Sequence, residues 1–584
     1  MKVSLILKGK AKQFSMSDKA MEEIFDKKEY EERADFIKGE DLEKWTVESD
    51  FFRSIQDKIL GRGAKLIVGP RGTGKTHQFL LAYNKCLKEK KMPLAVYVTF
   101  GKYYHLEPFL FKAPHAKKIF HNWVLSKIFL GCDKLITEIG GENISFEEIS
   151  PLNKKILEEF VAQAEKGDLR ELEDEAFTAL SIHKVTTALE ILASRLNRKR
   201  AILLLDDAAL TLTPDYMVEF FDIFRSLKTV TISPKASVYP GTTEYGPRFH
   251  VGHDAEEVKA WLNVEENDYA SFMDDLIRKR FRSVKEEIPE DIIDLFKYAS
   301  FGVPRAFIGL LRDYGQNRGK TPQQKFNSVI NGQAELIKDG YFSLERKMPQ
   351  YKLIIKTGFD LFREVIKIIT SENYKLREEK QVQLGIPKEQ SLKFDRMVKL
   401  LIEAGLLYEL TPVRHGGSDR EYRRYIPHLL FLIQDRAFSR ISRGFSPKEE
   451  VNFIKRKSAK HPVRRSFSTL LNKEQIDNIR LDLPPCPSCN TTRLTDYQKF
   501  CHYCGHELVE NSSFEACMKI PIEQLPIPPL QKRRIKEETE LKTVGELLSI
   551  SDPARELRRV KQIGPKRAEK IYNKAKALVE EFLT

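Results

Sequence analysis

The chain has 584 residues, with 98 Lys and Arg against 84 Asp and Glu and a net charge of +14. Its length implies about four domains, and 41% hydrophobic residues is enough for several cores. No apolar stretch reaches transmembrane length, Met1 to Lys8 is interrupted by charge too early for a signal peptide, and seven cysteines are few, which together suit a reducing, cytoplasmic setting.

The first fifty residues mix acidic and basic side chains without a chemical motif, and Asp50-Phe51-Phe52-Arg53 is predicted to begin a helix. Lys65-Leu66-Ile67-Val68 then reads as a buried strand running into Gly69-Pro70-Arg71-Gly72-Thr73-Gly74-Lys75-Thr76, the phosphate-binding pattern GxxxxGK[ST] between strand and helix. Gly69, Gly72 and Gly74 permit backbone angles that turn N–H groups inward at the positive end of a helix dipole. Lys75 is placed to reach the β- and γ-phosphates of ATP, and the Thr76 hydroxyl to ligate Mg²⁺.

A second carboxylate is needed to hold metal and water. Ala201-Ile202-Leu203-Leu204-Leu205-Asp206-Asp207 is a continuous apolar run ending in two acids, as expected of a parallel strand covered on both faces. Asp206 is assigned to the Mg²⁺ shell and Asp207 to the attacking water. Lys228 to Ser233 is predicted to be the next strand, ending in hydroxyls that can bond a γ-phosphate. Farther on, Gly302-Val303-Pro304-Arg305 interrupts a helical segment.

In this order the motifs resemble the AAA+ ATPases of the origin-recognition and initiator clade, and specifically their diverged prokaryotic relatives, over roughly residues 50 to 435. The resemblance implies an α/β fold: a P-loop parallel sheet, a helical lid and a winged helix. It also implies that Ser233 or Thr231 is sensor 1 and that Arg305 contacts the γ-phosphate. Arg248 is a candidate arginine finger toward a neighbouring subunit of a homo-oligomer, and equally a solvated loop residue. Asp207 stands where initiators commonly carry Glu, one methylene longer, so turnover is expected to be slow or partner-dependent. The Asp-Asp ending with Gly-x-Pro also resembles the signalling NTPases of the STAND class, but no internal repeat follows.

Residues 441–584 hold 27 Lys and Arg against 19 Asp and Glu, so the last quarter attracts a polyanion. Lys393 to Leu406 has helical spacing and stops at Gly405, and the strands beyond flank His415 to Ser418 as a hairpin. Helix then hairpin reads as recognition helix and wing, with Arg414, Arg420, Arg423 and Arg424 placing charge for DNA phosphates; the alternative is a protein-contact module. The segment from Arg436 to Arg465 reads as a basic tether.

Cys486-Pro487-Ser488-Cys489 and, eleven residues on, Cys501-His502-Tyr503-Cys504 form paired CxxC knuckles, whose four thiolates would close a structural Zn²⁺ site. The ribbon would bind nucleic acid or protein. Val560 to Ile571 resembles a helix-hairpin-helix element, and the preceding Leu541 to Leu548 the matching part of the C-terminal domain of the RNA polymerase α subunit. Gly564 would allow the turn while Lys566 and Arg567 add charge for DNA backbone; protein docking is the alternative.

The expected organisation is an N-terminal segment (1–50), a nucleotide-binding core (51–254), a helical lid (255–350) and a winged helix (351–435). A basic linker (436–480), a zinc ribbon (481–512) and a small all-α helix-hairpin-helix domain (525–584) follow. ATP, Mg²⁺ and Zn²⁺ are the expected cofactors, and DNA the expected partner.

Overall fold

The computed structural model describes residues 33 to 583 apart from short segments, among them 101–105, 107–114, 167–178, 209–213, 282–287, 415–420, 440–445, 481–484 and 509–519. Helix α1 (Gly39–Lys44) leads to α2 (Asp50–Leu60). The latter starts where the Ser49 side chain accepts the Phe52 N–H, and it buries Phe52, Ile55, Ile59 and Leu60.

The strands of the large sheet are β1 (Lys65–Val68), β2 (Leu94–Thr99), β3 (Ala201–Asp206), β4 (Ile232–Val238) and β5 (Glu256–Lys259), ordered β2-β3-β4-β1-β5. Every pairing is parallel, so each connection crosses over, using α3 (Lys75–Lys88), α4 (Ala116–Ile139), α5 (Ile182–Arg195) and α6 (Pro214–Ser226). Every residue of β3 and β4 is buried, as covering both faces requires. The register sets Val68 beside Val238 and Leu205 beside Ala236, which gathers the ends of β1, β3 and β4 at one edge.

Among the described residues the helices α7 (Tyr269–Arg280), α8 (Glu290–Ala299), α9 (Pro304–Gln316), α10 (Pro322–Lys347) and α11 (Lys352–Lys375) follow. The break between α8 and α9 is the GxPR stretch, with Phe301 and Gly302 at φ 53° and 77° and Pro304 opening α9. Strand β6 (Leu384–Pro387), α12 (Leu392–Glu403), β7 (Leu407–Arg414) and β8 (Glu421–Pro427) then form helix and hairpin, β8 pairing with both β7 and β6. A single hydrophobic core runs through these elements, from Phe296 and Leu310 to Leu401 and Ile426. The boundary expected at residue 350 therefore divides two topologies within one core.

The tether expected over 436–480 is corrected. Residues 446–480 are folded, with α13 (Pro447–Ile454), the two-residue strand β9 (Val463–Arg464) added parallel to β6, and two short helices, Phe467–Leu470 and Lys473–Asp477. Val451, Phe453, Ile454, Leu470 and Leu471 are buried, and the Phe467 ring stacks on Phe394 of α12 at 4.4 Å. Some of the basic residues serve this packing: Lys455 pairs with Asp294 of α8 at 3.2 Å, and Arg465 lies 3.6 Å from Glu372. Elements this short leave little periodicity to read in a sequence.

At the C-terminal end lie α14 (Pro529–Glu538), α15 (Val544–Ser549), α16 (Pro553–Leu557) and α17 (Pro565–Leu583). A capping box between Thr543 and Glu546 starts α15, and Leu547, Leu557, Val560, Ile563 and Ile571 are buried. Among the described residues no helix is long and apolar enough to cross a membrane.

Candidate nucleotide and metal sites

The phosphate-loop residues lie where β1 turns into α3. Gly72 and Gly74 take φ of 87° and 91°, a region that side chains avoid. Gly69 is required differently, because a Cβ there would sit 2.6 Å from the Thr73 hydroxyl oxygen. That hydroxyl donates to the Pro70 carbonyl at 3.0 Å. Lys75 is 7% exposed; its ammonium donates to the Gly69 and Pro70 carbonyls at 2.6 and 3.1 Å and lies 4.3 Å from the centre of the Tyr239 ring. Burial lowers its pKa to about 8 against the opposing pull of Asp206 and Asp207. Arg71 is exposed, and Thr76 is partly buried one residue into α3.

Asp206 ends β3, 1% exposed. Its carboxylate accepts from the Ser237 hydroxyl at 2.7 Å, the Tyr97 hydroxyl at 3.0 Å and the Asp207 N–H at 3.0 Å. Asp207 sits at φ 52°, and its N–H also reaches the Ser237 oxygen at 2.9 Å. Burial, then the neighbouring Asp206, pushes its carboxyl up to about 7. Oxygen donors of this kind, the Asp206 carboxylate and the Thr76 hydroxyl, fit Mg²⁺ and would hold it against a nucleotide's phosphates.

Arg305 is brought to the same place. Its N–H points at the Gly72 carbonyl at 3.4 Å, and a Cβ on Gly72 would come within 2.9 Å of both Arg305 and Val303. The start of α9, at Arg305, thus lies over the phosphate loop.

Ser233 and Thr231 are elsewhere, which corrects the sensor 1 assignment. The strand starts at Ile232, so Ser233 lies at its far end beside Ile202, accepting the Gly63 N–H at 3.1 Å. The Thr231 hydroxyl donates to Glu190 at 2.8 Å. The strand predicted over Lys228 to Ser233 is thus shifted to Ile232–Val238, a run that includes Pro234 and Lys235, residues uncommon in a buried strand. Lys235 is nevertheless fully buried, its ammonium bonded to the Gly61 and Gly63 carbonyls. The hydroxyl beside the acids is Ser237, which the register of β3 on β4 places there. Arg248 is remote from these groups' bonds: its side chain is 73% exposed and lies 3.6 Å from Asp222.

Cys486, Cys489, Cys501 and Cys504 converge, with all four sulfurs within 4.8 Å of one another. Each knuckle turns through a left-handed residue, Asn490 at φ 57° and Gly505 at 71°. The Asn490 N–H donates to the Cys486 carbonyl at 2.8 Å, and the Gly505 N–H to the Cys501 carbonyl at 2.9 Å. Four soft thiol ligands and no further position fit a structural Zn²⁺, which would fill the centre of the cluster.

The residues assigned to DNA are dispersed. Arg414 is exposed at the end of β7, and Arg420 lies outside the described residues. Arg423 pairs with Asp395 of α12 at 2.5 Å; Arg424 donates to the Thr411 carbonyl at 2.9 Å and to Gln383 at 3.4 Å. These two guanidiniums therefore brace the hairpin. Lys566 and Arg567 are exposed in the first turn of α17. Gly564 is corrected: it does not take positive φ, and a Cβ there meets nothing within 4 Å.

No protein-family model and no curated protein matches the chain. Solved structures with similarity include the Walker-type ATPase PABY2304 of Pyrococcus abyssi, at 14% identity and TM-score 0.38, over 66% of this chain and 95% of that one. The Aeropyrum pernix ORC1 protein in complex with DNA matches at 13% identity and TM-score 0.28, over 66% and 90%. The Aeropyrum pernix ORC2 protein, as ADPNP–ADP complexes, matches at 11% identity and TM-score 0.28, over 69% and 92%.

Proposed function

We propose that the chain is an ATP-binding and ATP-hydrolysing switch that holds DNA through its C-terminal modules. The observation that carries this reading is the convergence of Lys75, the Asp206-Asp207 pair and Arg305 on one loop of left-handed glycines. Loop N–H groups and Lys75 would bind the phosphates, Asp206 with Thr76 would hold Mg²⁺, and Asp207 in its ionised form would accept a proton from the attacking water. Arg305 ties the lid to the phosphates, so nucleotide state sets lid position. In an assembly of copies, Arg248 is the candidate to reach a neighbour's site. Positive charge in the last quarter, Lys566 and Arg567 included, would hold DNA by its backbone, while Zn²⁺ maintains the ribbon. MgATP binding and hydrolysis by the purified chain test the first half: Lys75→Ala should abolish tight binding, and Asp207→Ala should keep binding and lose turnover. A Lys75→Ala chain that binds as well as wild type refutes it.

The second reading is a signalling NTPase whose modules recruit a protein. It is favoured by Arg423 and Arg424, which are engaged inside the fold. Salt-dependent affinity for duplex DNA separates the two.

A further inference from the structure

The loop leaving β4 touches the nucleotide residues on one side and α12 on the other. Gly69 donates its N–H to the Val238 carbonyl at 3.3 Å, so the end of β4 is tied to the start of the phosphate loop. The next residue, Tyr239, places its ring 4.3 Å from the Lys75 ammonium. A desolvated cation over an aromatic face is held by the ring's negative quadrupole. The contact also leaves the ammonium free to exchange the Gly69 and Pro70 carbonyls for phosphate oxygens without leaving the ring.

Two residues on, Gly241 takes φ 92° and lies against the backbone of α12: a Cβ there would stand 2.5 Å from the Lys399 carbonyl oxygen. Neither the conformation nor the space admits another residue. A second contact seats the same helix–hairpin unit nearby. The Tyr408 hydroxyl of β7 donates to the Trp261 carbonyl at 3.3 Å, and the two rings meet edge to face at 4.7 Å. The Trp261 indole N–H in turn donates to the Phe301 carbonyl at 2.7 Å, in the turn before Arg305.

We propose that Tyr239 is a positioning residue for Lys75, and that its loop carries the state of the nucleotide site to α12 through the Gly241–Lys399 contact. This rests on the nucleotide reading above. Aromatic support keeps the ammonium at the phosphates, and any shift of the loop around a bound nucleotide is passed within two residues to the helix that precedes the hairpin. The face of α12 at Lys399 belongs to this joint.

The test uses the full chain and MgATPγS, a slowly hydrolysed analogue, with two readouts: its affinity, and hydrogen exchange of residues 392–403 with and without it. In wild type, binding should change exchange across α12. Tyr239→Ala should weaken binding tenfold or more, and Tyr239→Phe, which keeps the ring, should restore it to within twofold. Gly241→Val should leave affinity within threefold and abolish the exchange response. Wild type that binds with no change in α12, a Phe variant as weak as Ala, or a Val variant that still responds overturns the inference. Wild type that does not bind MgATPγS overturns the nucleotide reading itself.

Discussion

The Ser237 hydroxyl lies 2.7 Å from Asp206 and accepts the Asp207 N–H at 2.9 Å, so one side chain fixes both acids. It donates to one and accepts from the next, which helps to hold Asp207 in its left-handed conformation. Ser237→Ala leaves the Asp207 N–H with the Asp206 carboxylate alone and takes a hydroxyl donor from buried Asp206, and should cost about 1 to 3 kcal/mol of stability. Hydrolysis should slow tenfold or more while MgATP affinity changes little, because the phosphate ligands are on β1 and α3. Chemical denaturation and turnover measured on the same preparation check this; equal turnover would show that Asp207 needs no such brace.

Asp207 gives a pH signature with a definite sign. Its carboxyl is raised from 3.8 to about 7 by burial and by Asp206. Between those values the folded chain holds a proton that the unfolded chain has released. Folding takes up a proton there, and this group makes stability fall as pH rises from about 4 to 7. Hydrolysis should move the other way, rising through pH 7 as the carboxylate that accepts the water's proton is formed. Asp207→Asn should remove that part of the stability slope and abolish turnover. A slope identical to wild type would show that Asp207 is not the group titrating.

The parts legible in the sequence were those written locally. The phosphate loop, the acids ending an apolar run, the Gly302–Arg305 break between helical segments and the paired CxxC knuckles each occupy a few adjacent residues whose chemistry is visible without the fold. Ser237 was not legible, because its value comes from strand register: Leu205 pairs with Ala236, and only that alignment puts Ser237 beside Asp206. Lys235 and Pro234 hid the strand, since a buried lysine is tolerated only where carbonyls such as Gly61 and Gly63 receive it. Likewise, nothing in Arg423 itself says that Asp395 claims it. The N-terminal residues were also silent, yet the Thr46 hydroxyl lies 2.9 Å from His77, next to Thr76.

The cysteine cluster should behave as a structural centre separate from the nucleotide site. Purified chain should carry about one Zn²⁺, because four thiolates complete one tetrahedral shell. Replacing both Cys489 and Cys504 with Ser should remove the metal and loosen residues 485–508 to proteolysis, with MgATP affinity unchanged. Zinc that survives the double replacement would place the metal on other ligands.

The candidate DNA contacts separate into those that charge can explain and those that packing already uses. Lys566 and Arg567 are exposed in the first turn of α17, so Lys566→Ala with Arg567→Ala should weaken duplex binding and reduce the dependence of log affinity on log salt by up to about 2, at about 0.9 per phosphate neutralised. Gly564→Val should match wild type in both affinity and stability, because that position needs neither positive φ nor empty space. Arg423→Ala should lower stability by uncoupling β8 from Asp395 and leave the salt slope of the folded chain as it was. Sequence preference should hold across all three, since backbone contacts carry no base information. Duplex affinity measured from low to high salt for wild type and the three variants decides the matter. If the double variant's curve superimposes on wild type, the C-terminal helices do not hold DNA, and the exposed charges of α17 must serve a protein partner instead.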